Sequence, residues 1–231
     1  MRSITSEHIK ENLMKQKDIF LNSEGNNWFA RNVSTVAGLN LPDDDPLLLE
    51  ILDCVSTESN SKLKILEIGC GDGTRLAWLK HNFNAECYGV EPSSQAVKAA
   101  LTKGISVQQG TADDLPFDNQ SFDIVIFGFC LYLCDEEDLF RIASEADRVL
   151  RMPGWLMAMD FYSPNPRMRA YHHLKSIQSH KMDYRTLFTW HPVYECLTHK
   201  VRDHRENNYT DLQEEWVSIF VLRKFKKEFI I

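Results

Sequence analysis

A carboxylate on each side of a glycine-rich bend can hold a cation against a backbone free to turn sharply. Residues 65–74 read Ile-Leu-Glu-Ile-Gly-Cys-Gly-Asp-Gly-Thr, so Glu67 and Asp72 flank a run containing Gly69, Gly71 and Gly73. Glycine permits the bend and a close approach of backbone to ligand. The dinucleotide pattern G-x-G-x-x-G rests a pyrophosphate on a helix N-terminus and would place its third glycine at 74, where this chain has Thr74. Glu67 and Asp72 would repel that phosphate but attract a sulfonium carrying a free ammonium group. In a second element, Glu91 ends Tyr-Gly-Val-Glu and is followed by Pro92. A carboxylate there can accept both hydroxyls of a ribose, which fits any adenosine cofactor. A third stretch, Gly110-Thr111-Ala112-Asp113-Asp114-Leu115-Pro116-Phe117, offers a backbone N–H and short polar side chains able to read an adenine edge.

Acid–base groups gather later in the chain. Tyr171-His172-His173, His180-Lys181-Met182-Asp183-Tyr184 and Leu187-Phe188-Thr189-Trp190-His191-Pro192 bring polar aromatics, histidines and a Lys/Asp pair close together. A hydroxyl nucleophile needs a base, usually His or a carboxylate. His172 and His173 are the candidates, with Asp183 as orienter or alternative base. Tyr132, Tyr171, Lys181 and Tyr184 are expected to bind the acceptor. His8, His81, His199 and His204 are expected at the surface. Near the N-terminus, Trp28-Phe29-Ala30-Arg31-Asn32 reads two ways. It is an aromatic anchor, or a lid in which Trp28 and Arg31 meet the cofactor, Arg31 pairing with its carboxylate in bidentate geometry.

The elements that must position these groups alternate. Apolar runs at 64–68, 86–90, 105–109, 122–129 and 155–160 read as strands, with helices predicted at 74–80, 93–103 and 135–150 between them. Continuously apolar strands separated by helices make a parallel sheet covered on both faces. Residues 193–201 and 215–224 alternate in polarity and predict an antiparallel hairpin at the sheet edge. Helices are also expected over 6–20 and from Pro46 to about 55, with a polar break at 23–27. Residues 1–45 are expected to form a helical cap, residues 46–231 the main domain, and about 162–192 an insertion covering the acceptor. The acids at 135 and 138 are expected to cap the helix that they begin.

Twenty-six Lys and Arg against 33 Asp and Glu give a net charge of −7, with no general basic face for nucleic acid. The six cysteines are scattered without a C-x-x-C pair, which suits free thiols in a reducing compartment and no metal site. No apolar run approaches a membrane span. The expectation is a cytoplasmic protein, monomeric or homodimeric, acting on a small molecule without nucleic-acid or membrane partners.

Residues 64–161 resemble the class I S-adenosylmethionine (SAM)-dependent methyltransferases. The shared features, in order, are L-E-I-G-C-G-x-G, the acidic end of strand two, A-x-x-L-P-F, F-D-x-V, and L-R-x-x-G before strand five. The resemblance implies a Rossmann-like doubly wound sheet of about seven strands, mostly parallel with an antiparallel C-terminal hairpin and helices on both faces. It implies that SAM is the cofactor. Glu67 and the backbone of Gly69, Cys70, Gly71 and Gly73 would hold its methionine part, Glu91 with Pro92 its ribose, and Thr111, Ala112 and Asp113 its adenine. Phe129 would lie beside the sulfonium. Thr111 stands where many relatives carry Asp, and Met152-Pro153 replaces their Pro-Gly. A non-catalytic partner subunit of the same fold and a nicotinamide-dependent oxidoreductase are the alternatives. In addition, Gly-x-x-Trp-Phe-x-Arg-Asn, Tyr-His-His and Lys-Met-Asp-Tyr resemble a bacterial methyltransferase subgroup from surface-glycan and pseudaminic-acid-type gene clusters. That likeness implies a sugar or nucleotide-sugar hydroxyl or amine as acceptor.

Overall fold

The computed structural model describes residues 14–55, 62–83 and 85–225. Most of the helix expected over 6–20 lies outside the described residues. From Gln16 the chain forms α1 (Gln16–Ile19), a π-helical turn (Phe20–Glu24) and α2 (Gly25–Ala37). The predicted break at 23–27 is therefore helical. The residues that read as turn formers are contact residues instead. A Cβ on Gly25 would lie 2.7 Å from the Phe20 carbonyl oxygen and 3.1 Å from the Ser93 nitrogen. Its next neighbour, Asn26, accepts hydrogen bonds from the Ser93 hydroxyl at 2.8 Å and the Gln95 N–H at 3.1 Å. Glycine lets the helix touch the main body there, and asparagine ties it down.

The remaining elements follow the predicted alternation. They are α3 (Pro46–Val55), β1 (Leu63–Ile68), α4 (Thr74–Asn82), β2 (Ala85–Glu91), α5 (Ser94–Thr102), β3 (Ser106–Gln109), β4 (Phe122–Gly128), α6 (Leu139–Val149) and β5 (Leu150–Phe161). Then come β6 (Arg167–Ala170), β7 (Gln178–Lys181), α7 (Thr186–Thr189), β8 (Tyr194–Asp203) and β9 (Trp216–Lys224). Local chemistry sets several ends. The Asp45 carboxylate accepts from the Leu47 and Leu48 N–H groups at 3.1 and 3.0 Å, capping α3. Ser93 caps α5 through the Ala96 N–H at 3.1 Å.

The main sheet has seven strands in the order β3-β2-β1-β4-β5-β9-β8. Strands β3, β2, β1, β4 and β5 run parallel, and β9 joins β5 antiparallel with β8 outside it. This is the expected Rossmann-like doubly wound arrangement with its antiparallel C-terminal hairpin. Alternate residues of one strand face opposite layers. Leu66, Ile68, Val125, Phe127, Leu156 and Ala158 pack with α6 and α7, while Ile65, Ile124, Ile126, Met157 and Met159 pack with α3 and α4. Each fully buried Leu or Ile of this kind is worth about 1.5–3 kcal/mol over exposure.

Two features direct the chain onto the sheet's carboxyl edge. Phe161 pairs with Val217 and Gly154 with Lys224. The start of β9 therefore lies beside the end of β5, and the 204–215 turn sits where ligands of open α/β sheets bind. Within 162–192, β6 and β7 pair as a separate antiparallel ribbon, Arg167 opposite Lys181. The acids after β4 act differently from expectation. Asp135 makes no cap to its own helix. It accepts from the Gln16 and Lys17 N–H groups at 2.9 and 3.0 Å, capping α1, while Asp138 binds Lys15 at 2.9 Å. A lysine-bearing helix start is a better partner for these carboxylates than their own short turn.

At a solvent-exposed helical position Gly→Ala stabilises by roughly 1 kcal/mol. At Gly25 the sign should reverse. Gly25→Ala should lower the thermal midpoint, equivalent to about 1–3 kcal/mol from forcing α2 away from Ser93; a raised midpoint in a melting series would show that no such contact exists.

Candidate active site

A cavity of about 950 Å³ opens along the carboxyl edge, between the N-terminal helices and the sheet. One end is anionic. Glu67 leaves β1 buried, and burial lifts its carboxyl from 4.5 to about 7 although the Arg75 guanidinium pulls it down. Arg75 binds Glu67 through Nη1 and Asp45 through Nε at 2.7 Å, so one half-buried guanidinium serves two carboxylates. Glu67 Oε2 is buried without a hydrogen-bond partner among the described residues. Glu91, at the end of β2, also sits at about 7 because of burial, opposed by two N–H donors. Its oxygens accept from Gly71 N–H at 2.9 Å and Ser93 N–H at 2.8 Å. This anionic end therefore contains more buried carboxylate than cation.

The bend has the conformation that its composition implies. Gly69, Gly71 and Gly73 have φ of +72°, +54° and +70°. At Gly71 a Cβ would meet nothing within 4 Å, so space is not what excludes a side chain there; the left-handed backbone is. Asp72 does not act as a free anion. It accepts from the Thr74 N–H and hydroxyl at 3.1 and 2.7 Å and binds Lys103 at 2.6 Å, so it starts α4. Asp113 is held by the Thr111 hydroxyl at 2.7 Å and by Lys17, which keep its carboxyl below the ordinary range against the opposing effect of burial.

The other end is aromatic and cationic. Phe129 follows β4 with φ +54°, an uncommon conformation for a bulky residue that costs roughly 1–2 kcal/mol. Its ring lies 5.4 Å from that of Phe161, which meets the Tyr132 ring at 4.9 Å. Asp160 is wholly buried, lifted to about 7 by that burial, and accepts from the Leu131 and Phe161 N–H groups at 2.7 and 2.8 Å. It thereby fixes the turn that presents Tyr132. Lys181 is buried with its ammonium 4.9 Å from the Phe161 ring centroid, and burial lowers its pKa.

Most residues expected to bind cofactor border this cavity: Trp28, Glu67, Gly69, Cys70, Gly71, Glu91, Pro92, Thr111, Ala112, Asp113 and Phe129. So do Tyr132, Tyr171, His172, His173 and Lys181. Gly73 lies behind the bend, where a Cβ would meet the Ala100 Cβ at 3.1 Å. Arg31 does not present a free guanidinium to a carboxylate ligand, because it pairs with buried Glu24 and donates to the Tyr171 hydroxyl at 3.2 Å. Trp28 Nε1 donates to the Tyr132 hydroxyl at 3.3 Å.

Asp183 and Tyr184 are not brought to the cavity. Asp183 is clasped by Arg185 at 2.9 and 2.6 Å, and Tyr184 is fully buried in the core, its hydroxyl donating to the His180 carbonyl at 3.1 Å. Along α7 and its approach the apolar face turns inward and takes the tyrosine with it. His172 and His173 stack on each other at 3.9 Å on the cavity wall, with neither bonded to a carboxylate among the described residues. His204, expected on the outer surface, borders the cavity instead. Sequence reasoning missed Arg75, Asp160 and Lys17 as well. Of these only Asp160 carried a signal, a carboxylate closing an otherwise apolar strand. Among the described residues no group of three His, Cys, Asp or Glu is placed to hold a metal ion, and no helix is long and apolar enough to cross a membrane.

Residues 66–158 match the family model described as a methyltransferase domain. The uncharacterized methyltransferase YcgJ of Bacillus subtilis (strain 168) is 34% identical over 118 residues, 47% of this chain and 45% of that protein. A fatty-acid O-methyltransferase of Mycolicibacterium smegmatis is 31% identical over 102 residues, 42% of this chain and 36% of that one. The chain thus spans less than half the length of these two curated relatives. Among solved structures, 1,6-didemethyltoxoflavin-N1-methyltransferase of Burkholderia thailandensis, with bound 1,6-didemethyltoxoflavin and S-adenosylhomocysteine, superposes with a TM-score of 0.69 at 13% identity. That match covers 98% of this chain and 93% of the other. The fold is that of the SAM-dependent methyltransferases.

Burial holds the Glu91 carboxyl neutral in the folded chain until about pH 7, whereas an unfolded glutamate ionises near 4.5. Its contribution to stability is therefore intact below 4.5 and is lost as pH rises through 7. Glu91→Gln should gain stability relative to the ligand-free wild type between pH 5 and 8, by up to about 3 kcal/mol. Paired denaturant titrations at the two pH values would show a constant difference if Glu91 were solvated.

Proposed function

We infer that this chain is a SAM-dependent methyltransferase acting on a small polar acceptor. The finer reading is that the acceptor is a sugar or nucleotide-sugar hydroxyl or amine. The observation that carries the reading is the surplus of buried carboxylate at the ends of β1 and β2, above all the unpartnered Glu67 Oε2. Such an oxygen costs several kcal/mol of desolvation unless a cation or donor meets it. A cofactor with an ammonium group and a ribose diol answers both demands. Glu67 would take the ammonium and Glu91 the ribose hydroxyls, while the Gly71 backbone would face the methionine part and Thr111 and Asp113 would border the adenine. A phosphate-bearing cofactor in the same place would face Glu67 and Glu91 directly.

When bound, the sulfonium supplies an electrophilic methyl group. The chain's own part is placement and exclusion of water. Phe129, Phe161 and Tyr132 provide ring faces beside the end of β4, and Lys181, over the Phe161 ring, and Tyr171, packed beside Tyr132, provide polar contacts next to them. Ring faces together with hydroxyl and ammonium donors suit a sugar, and the ammonium suits the phosphates of a nucleotide-sugar. Trp28, tied to Tyr132, links the N-terminal helix to this chamber.

Calorimetry with SAM, S-adenosylhomocysteine and NAD separates the readings. SAM and its demethylated product should bind and NAD should not; tight NAD binding without SAM would sink the assignment. Glu91→Ala should weaken SAM by about 1–3 kcal/mol, roughly 5- to 150-fold. Because Glu67 must be ionised to hold the ammonium and Glu91 to accept from both ribose hydroxyls, and both titrate near 7, SAM affinity should rise from pH 6 to pH 8 with release of protons. Equal affinity and no proton release across that range would remove these two acids from the site.

A further inference from the structure

His204 and Glu215 face each other across the base of the β8–β9 turn. His204 Nδ1 lies 2.9 Å from Glu215 Oε2, and the two backbones are joined by the His204 N–H donating to the Glu215 carbonyl at 3.0 Å. Both residues border the same cavity as Phe129 and Glu91. The His204 ring meets the Phe161 ring at 5.5 Å, on the side chain that also touches Phe129 and Tyr132. The neighbouring residue completes the arrangement. Lys181 donates to the Glu214 carbonyl and has its ammonium over the Phe161 ring. A carboxylate-oriented imidazole and a buried ammonium thus share one aromatic platform and one short segment, 214–215.

We propose that His204, oriented by Glu215, is the general base of this chamber, and that the acceptor is a hydroxyl compound bearing an anionic group held by Lys181. The proposal rests on the methyltransferase reading above. Glu215 takes the Nδ1–H, which leaves the Nε2 lone pair as the basic position. The acceptor oxygen forms a bond to the methyl carbon as the carbon–sulfur bond breaks, its electron pair stays on sulfur as a thioether, and the hydroxyl proton passes to Nε2. His172 and His173 have a stacked neighbour but, among the described residues, no carboxylate to fix a tautomer. Lys181 has no ion-pair partner among the described residues, and its ammonium is met by a carbonyl and a ring face. A buried cation so placed has unspent capacity for an anion. An amine acceptor would need neither the base nor the anion site to the same degree, and its charged form would be repelled by Lys181.

Two measurements test this. The first needs no turnover. In the S-adenosylhomocysteine complex, long-range nitrogen–proton correlation NMR, with His204 assigned by its loss in His204→Gln, should show the neutral ring protonated at Nδ1. Glu215→Gln should weaken that preference. A ring protonated at Nε2 in the wild type overturns the proposal. The second measures transfer of labelled methyl from SAM to the small-molecule fraction of a bacterial cell extract. Label should appear in an anion-exchange-retained methyl ether, and His204→Gln should slow its appearance by about 100-fold or more while SAM affinity by calorimetry stays unchanged. Label in a methylamine, or wild-type rates from His204→Gln, would refute the base. Loss of SAM binding by the wild type would instead refute the underlying methyltransferase reading.

Discussion

The architecture turns on carboxylates kept away from water at the ends of two parallel strands. Glu67 and Glu91 leave β1 and β2 where the sheet stops, and both are buried. Ionising such groups is costly unless opposing charge or donors are close. Arg75 meets part of that need for Glu67, and backbone N–H groups meet part of it for Glu91. The partial compensation has reasons in the fold. Arg75 is shared with Asp45, which is itself occupied in capping α3. The N–H groups belong to the bend and to the entry of α5, whose geometry follows from glycine and from a serine cap. Local helix chemistry and the electrostatics of the cavity are thus the same set of bonds.

The carboxylate-lined half of the cavity was legible because its signals are local. A strand running into Gly69, Gly71 and Gly73 must bend at the sheet edge, and Glu67 and Glu91 are carried there by strand length alone. The alternation of apolar strands with helices, and the switch to alternating polarity after 193, were enough for the sheet and its antiparallel edge. What the sequence hid was pairing across the chain. Asp72 reads as a site anion but is spent on Thr74 and Lys103. Asp135 reads as the cap of the helix that follows it, yet it caps one more than a hundred residues earlier. Arg31 reads as a ligand clamp and is taken by Glu24 seven residues before it.

The aromatic half was legible only as composition. Histidines and polar aromatics cluster between 171 and 192, but composition does not say which side of a short helix faces in. Tyr184 went to the core and Asp183 to Arg185, whereas His204, beyond the cluster, reached the cavity. The reason is topological. An antiparallel last strand returns its first residues to the carboxyl edge, so a turn that looks like a distant surface loop lies over the end of β5. Gly25 taught a similar lesson: a glycine in a polar run marked a close approach of two backbones.

The seating of α1 on the acids after β4 has a consequence of its own. Lys17 spans Asp113, at the expected adenine position, and Asp138, at the start of α6, while Gln16 donates to the Leu133 carbonyl. The N-terminal helix is thereby fastened to both ends of the cavity wall. A motion that lifts α1 away from the sheet parts these ion pairs and disturbs the Tyr132 turn as well. On the proposed reading, cofactor exchange and reshaping of the aromatic chamber become a single mechanical event, one that added salt would ease by shielding the lysine.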